Sequence, residues 1–346
     1  MKYPFTGLLT FCEQLSKGLI RNHSSIKGDL GLYVPENQVG FAGDQVRYHV
    51  QKSWHKFFNP IHAHADLWHE TYQGSRYYPS RKRIKKILTI HDLNFLVENK
   101  KSEAKQQKLL DKIKHQVDQA DHITAISHFT LNFIQQHIDL SQKPVDVIYN
   151  GCHVDTEKDM PVKPKFITDD TPFLFSIGTI AEKKNFHVLV PLLKENDYKL
   201  ILAGIYQQES YVEKIKALAQ KHGVADRVLL PGSVTTPEKW WLMKHCLAFV
   251  FPSIAEGFGI PVVEAMHFEK PILLSTHTCL PEIGADAVYY FNDFEPENMQ
   301  HDLYQALQDF NSNESKKEKM MERKTKFNWD HAANQYIDIY NKTLGV

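Results

Sequence analysis

Glu256 and Glu264 stand eight positions apart around the turn Gly257-Phe258-Gly259-Ile260-Pro261. Ionised carboxylates only accept hydrogen bonds, so such a pair is suited to hydroxyl-bearing ligands. Leu247–Ser253 ahead of the turn is apolar enough for a buried strand, the two glycines permit tight turning, and Pro261 fits the first helical position. The spacing predicts Glu256 at the carboxyl end of a strand and Glu264 about one turn into a helix. Helix-opening amides lack intrahelical partners and lie at the positive end of the peptide dipoles, so a diphosphate can dock there. Glu264 can then accept both hydroxyls of a vicinal diol such as ribose, and Glu256 a sugar hydroxyl. A nucleotide-activated sugar meets all three demands. Alone, Glu256 reads more readily as an ordinary solvated acid; the constellation carries the expectation.

Cations follow the first strand of the second half. Gly178–Asn185 reads GTIAEKKN, which places Lys183 and Lys184 to meet a diphosphate from the side opposite the Glu256–Glu264 turn. A solvated lysine pair is the competing reading. In the first half, Thr89-Ile90-His91-Asp92 ends an apolar run. His91 can donate to a phosphate or sugar hydroxyl, with Asp92 orienting the ring or capping the next turn; the alternative is a buried, satisfied histidine. His69, after Asp66-Leu67-Trp68, is a weaker candidate. Gly7, ahead of the helix-like Leu9–Leu19, either brings backbone close to a ligand or simply starts a helix. His62 and His64 have no third ligand at metal-binding spacing, so no metal site is expected.

These side chains need a scaffold of two sheets. With 346 residues the chain exceeds what one core usually serves. Its 41 basic and 41 acidic side chains give no global field for a nucleic-acid polymer. No run approaches the ~18 apolar residues of a membrane span, and the first residues lack a signal-peptide pattern. Cys12, Cys152, Cys246 and Cys279 are scattered without CxxC spacing, which fits reduced thiols in the cytoplasm. Ser80–Lys86 packs five cations into seven residues, Arg81, Lys82, Arg83, Lys85 and Lys86. They either touch anionic lipid weakly or serve solubility.

Leu30–Val34, Ile87–Ile90, Ile123–Ile126 and Val145–Ile148 read as strands, and Ala104–Gln119 as a polar helix. After the polar, proline-containing Met160–Pro172 the rhythm restarts with Phe173–Ile177, Leu200–Ala203, Val228–Leu230, Ala248–Phe251 and Ile272–Leu274. A domain boundary is expected within Asp159–Asp170. Ser315–Lys326 reads as a solvated helix face, and Trp329, Ala332, Ala333, Tyr336, Ile337 and Tyr340 as the core stripe of a terminal helix. The expected fold class is α/β, with two facing Rossmann-like domains and an interdomain cleft. The carboxyl ends of both sheets would line that cleft.

Together these segments resemble glycosyltransferase family 4, the retaining GT-B group that includes mannosyl- and glucosyltransferases of bacterial surface polysaccharides. The likeness is carried by TIHDLNFL at Thr89–Leu96, ADHITAISHFT at Ala120–Thr130, VIYNG at Val147–Gly151, GTIAEKKN, KLILAG at Lys199–Gly204 and EGFGIPVVEAM at Glu256–Met266. The last matches the family's two-glutamate signature. The resemblance implies a first domain at 1–164 serving the acceptor, a donor domain at 165–325, and a helix at 326–346 crossing back. It assigns the reacting centre to His91, Glu256 and Lys184. Donor binding falls to Gly7, Thr179, Lys183, Lys184, Gly257, Phe258, Gly259, Ile260 and Glu264. Where many members carry arginine this chain has Thr179, so Lys183 would supply the second phosphate contact. Only six residues precede Gly7, where the family has a strand, so a remodelled first sheet or a late start is expected.

The resemblance further implies hexose transfer with retention from a nucleoside diphosphate sugar, GDP-mannose favoured and a UDP-hexose possible, to a glycan or lipid-linked glycan. It implies no metal ion and a cytoplasmic protein, with a peripheral position on the inner face of the membrane left open. Two other functions stay open: a nucleotide-sugar epimerase or hydrolase, and a non-catalytic nucleotide-sugar-binding subunit.

Overall fold

The computed structural model describes residues 7–79, 83–97 and 102–346, apart from the His62 side chain. The chain forms two compact units, Met1–Gly151 with Phe327–Val346, and Cys152–Lys326. The first break falls at Gly151, ahead of the expected 164/165. The Val162 amide donates to Pro237 O at 3.1 Å, which ties the intervening segment to the second unit.

In the first unit, α1 (Gly7–Arg21) leads into β1 (Gly31–Val34) and β2 (Arg47–Val50). Then come β3 (Leu67–Glu70), β4 (Lys85–Ile90), α2 (Glu103–Gln119), β5 (His122–Ala125), α3 (His128–Gln135) and β6 (Val145–Val147). All strand pairs are parallel, but they fall into two pieces, β1-β2 and β3-β4-β5-β6. Tyr33 on β1 and Trp68 on β3 bring the pieces into ring contact, with centroids 5.3 Å apart.

The second unit contains β7 (Phe173–Ile177), β8 (Lys199–Ala203), α4 (Glu209–Lys221), β9 (Val228–Gly232), α5 (Thr236–His245), β10 (Ala248–Phe251) and α6 (Ile260–Ala265). It continues with β11 (Ile272–Ser275), α7 (Leu280–Gly284), β12 (Tyr289–Phe291), α8 (Pro296–Ser312) and α9 (Glu314–Thr325). Its six strands are all parallel in the order β12-β11-β10-β7-β8-β9. Chain order reverses direction between β7 and β10, which makes this a doubly wound sheet with one switch point. β7, β8, β10 and β11 are buried nearly throughout, as expected of strands covered on both faces.

Helix α10 (Trp329–Leu344) buries the predicted stripe Trp329, Ala332, Ala333, Tyr336, Ile337 and Tyr340. It packs on α1 so closely that a Cβ on Gly18 would stand 2.9 Å from Ala333 Cβ. Polar bonds fix it to the sheet: His69 Nδ1 meets the Tyr340 hydroxyl and Nε2 meets Thr89 Oγ1, both at 2.7 Å. The weaker candidate His69 thus spends both ring nitrogens on holding α10. Helix α9 keeps only Met320 buried, so its charged face is solvated as its sequence suggests. Among the described residues no helix is long and apolar enough to cross a membrane.

Candidate functional site

The two segments singled out by sequence leave neighbouring strands, β7 and β10, at the switch point of the second unit. That is where an open parallel sheet offers a crevice for ligands. The segment after β7 is held tightly: a Cβ on Gly178 would lie 2.9 Å from Lys184 Cε, and one on Gly204 would lie 1.8 Å from Gly178 O. Asn185 ends the short 3-10 turn Glu182–Lys184 at φ 55°, a left-handed conformation that asparagine tolerates better than most residues. Lys183 O accepts from the Ile254 amide at 2.9 Å and from Ser253 Oγ at 3.0 Å, which joins this segment to the loop after β10.

The consequence is a buried ion pair. Lys184 Nζ lies 2.5 Å from Glu256 Oε1, with side chains 10% and 13% exposed. The ammonium also sits over the Phe251 ring, 4.8 Å from its centroid. Glu256 is fixed from the other side: its amide donates to Thr278 Oγ1 at 3.2 Å, and its carbonyl accepts from Cys279 Sγ at 3.4 Å. A second pair joins α5 to α6 in the same unit. Lys239 Nζ on α5 lies 2.7 Å from Glu264 Oε1 and 4.1 Å from the Trp240 ring centroid. The sequence reading missed Lys239, because a lone lysine on a helix 25 residues earlier carries no local signal. Its only hint is Thr235, which caps α5 in a reciprocal box with Glu238 and so fixes the helix start.

The turn behaves largely as its sequence predicts. Gly259 adopts φ 90° ahead of α6, so this glycine meets a real backbone demand. Pro261 occupies the second helical position, one later than expected. Helix α6 has only six residues, Pro261 has no N–H and the Val262 amide donates to Gly259 O at 2.9 Å, so any anion affinity of its first turn rests on the Ile260 amide. Phe258 is buried, which leaves its backbone alone for ligand contact. Ile260, Thr179 and Lys183 are partly exposed.

His91 and Gly7 belong to the first unit. Gly7 is the exposed first residue of α1. His91 Nε2 lies 2.8 Å from Thr71 O, and a carbonyl only accepts, so Nε2 carries the proton. Burial pushes the ring's pKa down to about 4, and Phe11 packs edge-on at 4.6 Å. Neutral His91 therefore presents Nδ1 as an acceptor, in contrast to the donor role expected from sequence. Asp92 takes the capping option, accepting from the Asn94 amide at 3.0 Å.

Of the three described cations of the basic run, two have side-chain partners within the chain. Lys86 is buried, with its ammonium 5.6 Å from the Tyr78 ring centroid, and Lys85 pairs with Asp121 at 3.1 Å. Arg83 is exposed; Arg81 and Lys82 lie outside the described residues. Among the described residues no group of three or more His, Cys, Asp and Glu is placed to hold a metal ion.

Two family models match in tandem, "Glycosyltransferase Family 4" over residues 45–157 and "Glycosyl transferases group 1" over 158–327. The serotype-specific mannosyltransferase WbdA of Escherichia coli is 27% identical over 241 residues, 66% of this chain and 29% of that protein. The chain thus spans under a third of that relative's length. The O-antigen chain mannosyltransferase B of Escherichia coli is 25% identical over 284 residues, 78% of this chain and 73% of that protein. Among solved structures, Anabaena HepE in complex with UDP and glucose superposes with a TM-score of 0.72 at 17% identity, covering 97% of this chain and 96% of its own. At that identity the likeness speaks for the fold.

Proposed function

The chain belongs to glycosyltransferase family 4 and has the GT-B fold, and from that premise we propose that it transfers a hexose with retention from a nucleoside diphosphate sugar. Mannose is the favoured sugar, as in the mannosyltransferase relatives, with GDP-mannose as donor and a UDP-hexose as the alternative. The acceptor is a hydroxyl of a glycan or lipid-linked glycan, served by the first unit. The observation that carries the reading is the pair of Lys–Glu contacts in the second unit, Lys184 with Glu256 at the switch point and Lys239 with Glu264 between α5 and α6.

Each contact supplies one part of the chemistry. Glu264, oriented by Lys239, accepts from the ribose diol, and Glu256 accepts from a hydroxyl of the transferred sugar. Lys184, Lys183 and the Ile260 amide at the start of α6 stabilise negative charge on the departing diphosphate. The bond from the anomeric carbon to the diphosphate oxygen breaks as the bond to the acceptor oxygen forms on the same face. The acceptor proton passes to the leaving phosphate. His91, neutral with Nδ1 free to accept, positions a sugar hydroxyl. No metal ion is required by this scheme, and the reaction is placed by this reading in the cytoplasm.

A titration and turnover screen over GDP- and UDP-sugars tests the reading, with product configuration followed by NMR. Saturable binding and formation of a retained glycosidic product are expected. Donor consumption that yields only free or epimerised sugar would replace transfer by hydrolysis or epimerisation. Binding without turnover over an acceptor panel would make the chain a binding subunit.

A further inference from the structure

Trp54, Phe57 and Phe58 are 51%, 93% and 60% exposed, although aromatic side chains of this size usually bury most of their surface. They sit on the loop that leaves β2, at the carboxyl edge of the β1-β2 pair. Val39, 49% exposed, lies on the loop leaving the same edge of β1.

The loop is anchored rather than slack. His55, between Trp54 and Lys56, is buried; its Nδ1 accepts from the Tyr33 hydroxyl at 2.9 Å and from the Lys52 amide at 3.4 Å. Asn59 ends the segment, buried, with its side chain capping the next turn at Ile61. Between these anchors Trp54 and Phe58 stack at 6.5 Å.

Charge selects the partner. From Arg47 to Ala65 the sequence carries Arg47, Lys52 and Lys56 and no carboxylate. The Arg83 guanidinium donates to Ala63 O, which fastens one more exposed cation beside this loop. Exposed aromatics on a loop whose charged side chains are all cationic match the interface of an anionic bilayer, where rings enter the headgroup layer and lysines meet lipid phosphates.

We propose that Trp54, Phe57 and Phe58, flanked by Lys52, Lys56 and Arg83, form the membrane-docking loop of this chain, reading an anionic phospholipid surface. The proposal deepens the lipid-linked acceptor reading, since it brings the acceptor-serving unit to the surface where such an acceptor lies. It also extends the lipid contact expected of the basic run, through Arg83, to an aromatic loop.

Flotation of the full chain with phosphatidylcholine vesicles, with and without phosphatidylglycerol, tests this. Wild type should float with the anionic vesicles, and high salt should release part of it. Trp54→Ser, Phe57→Ser and Phe58→Ser together should cut partitioning by about ten-fold or more. Lys52→Ser and Lys56→Ser should each cost about five-fold. Nucleotide titration reports whether the variants remain folded; should the triple variant fail it, Phe57→Ser, which removes a side chain that is almost wholly exposed, takes its place. A wild type that stays with the soluble fraction, or aromatic variants that float like wild type, would overturn the proposal. So would a concentration-dependent dimer, seen by light scattering and abolished by the triple variant, that does not float. Flotation without sugar transfer would refute the functional reading and leave docking intact; transfer to a soluble acceptor without flotation would do the reverse.

Discussion

Lys184 and Glu256, 72 residues apart in the chain, meet at 2.5 Å where β7 and β10 end. Removing one partner of so enclosed a pair strands the other, at a cost of about 3–5 kcal/mol. Lys184→Met is therefore expected to lower the stability of the second unit by that order in urea unfolding. Adding Glu256→Gln should restore most of the loss, because no lone charge remains. Sugar transfer should be absent in both variants. If Lys184→Met unfolds at the wild-type midpoint, the pair is effectively solvated and the charge argument fails.

The neighbouring pair predicts a different signature. Glu264 faces Lys239 at 2.7 Å and is assigned the ribose. Losing one charge-assisted contact costs about 1.5–3 kcal/mol, so Glu264→Ala should weaken the bare nucleoside diphosphate roughly ten- to hundred-fold. Glu256→Ala should leave that affinity nearly unchanged and reduce turnover instead. Lys239→Met should resemble Glu264→Ala. Calorimetry with diphosphate and with the full nucleotide sugar separates these outcomes. Equal losses for both ligands in both glutamate variants would dismiss the division of labour.

Acid sensitivity follows from the first unit's buried groups. Burial lowers His91 to about 4 and His69 to about 3, so between pH 6.5 and 4 the unfolded chain binds protons that the folded chain refuses. Their contribution is complete above pH 6.5 and shrinks as pH falls, by up to about 1.4 kcal/mol per pH unit for each group. Glu70 acts oppositely. Burial raises it to about 7, so its folded form holds a proton that the unfolded form releases above about 4.5. Two histidines outweigh one glutamate, and urea midpoints should drop from pH 6.5 to 4.5. Glu70→Gln should raise stability above pH 7 and steepen the acid loss. A Glu70→Gln curve parallel to wild type would show that Glu70 titrates normally.

What could be read in advance followed from local signals. The strands around Phe173, Leu200, Ala248 and Ile272 are apolar because both faces are covered, and Gly259 with Pro261 marks the turn before α6. Arg47–Val50 and Tyr289–Phe291 escaped because they lie at sheet margins, half-buried, with no sustained apolar run. Lys239 and the Trp54–Phe58 loop escaped for another reason. A lysine becomes a partner of Glu264 only once α5 packs beside α6, and the sequence does not say whether an aromatic is core or surface.

The strictest constraint on the site falls on a residue that need not touch any ligand. A Cβ on Gly204 would stand 1.8 Å from Gly178 O and 2.6 Å from Gly178 C, both backbone atoms with no side-chain freedom to give way. Gly204→Ala must therefore displace the segment that carries Lys183 and Lys184. Its expected cost is above about 2 kcal/mol, with donor affinity falling alongside. Gly223 supplies the control in the same unit: its φ is +68°, with nothing within 4 Å of a built Cβ. Gly223→Ala should cost only the left-handed penalty of about 1–2 kcal/mol and leave donor binding as it was. Urea unfolding and nucleotide titration read both quantities on each variant. Were Gly204→Ala to bind donor as wild type does, the close approach of β8 to Gly178 would not be what positions the lysines.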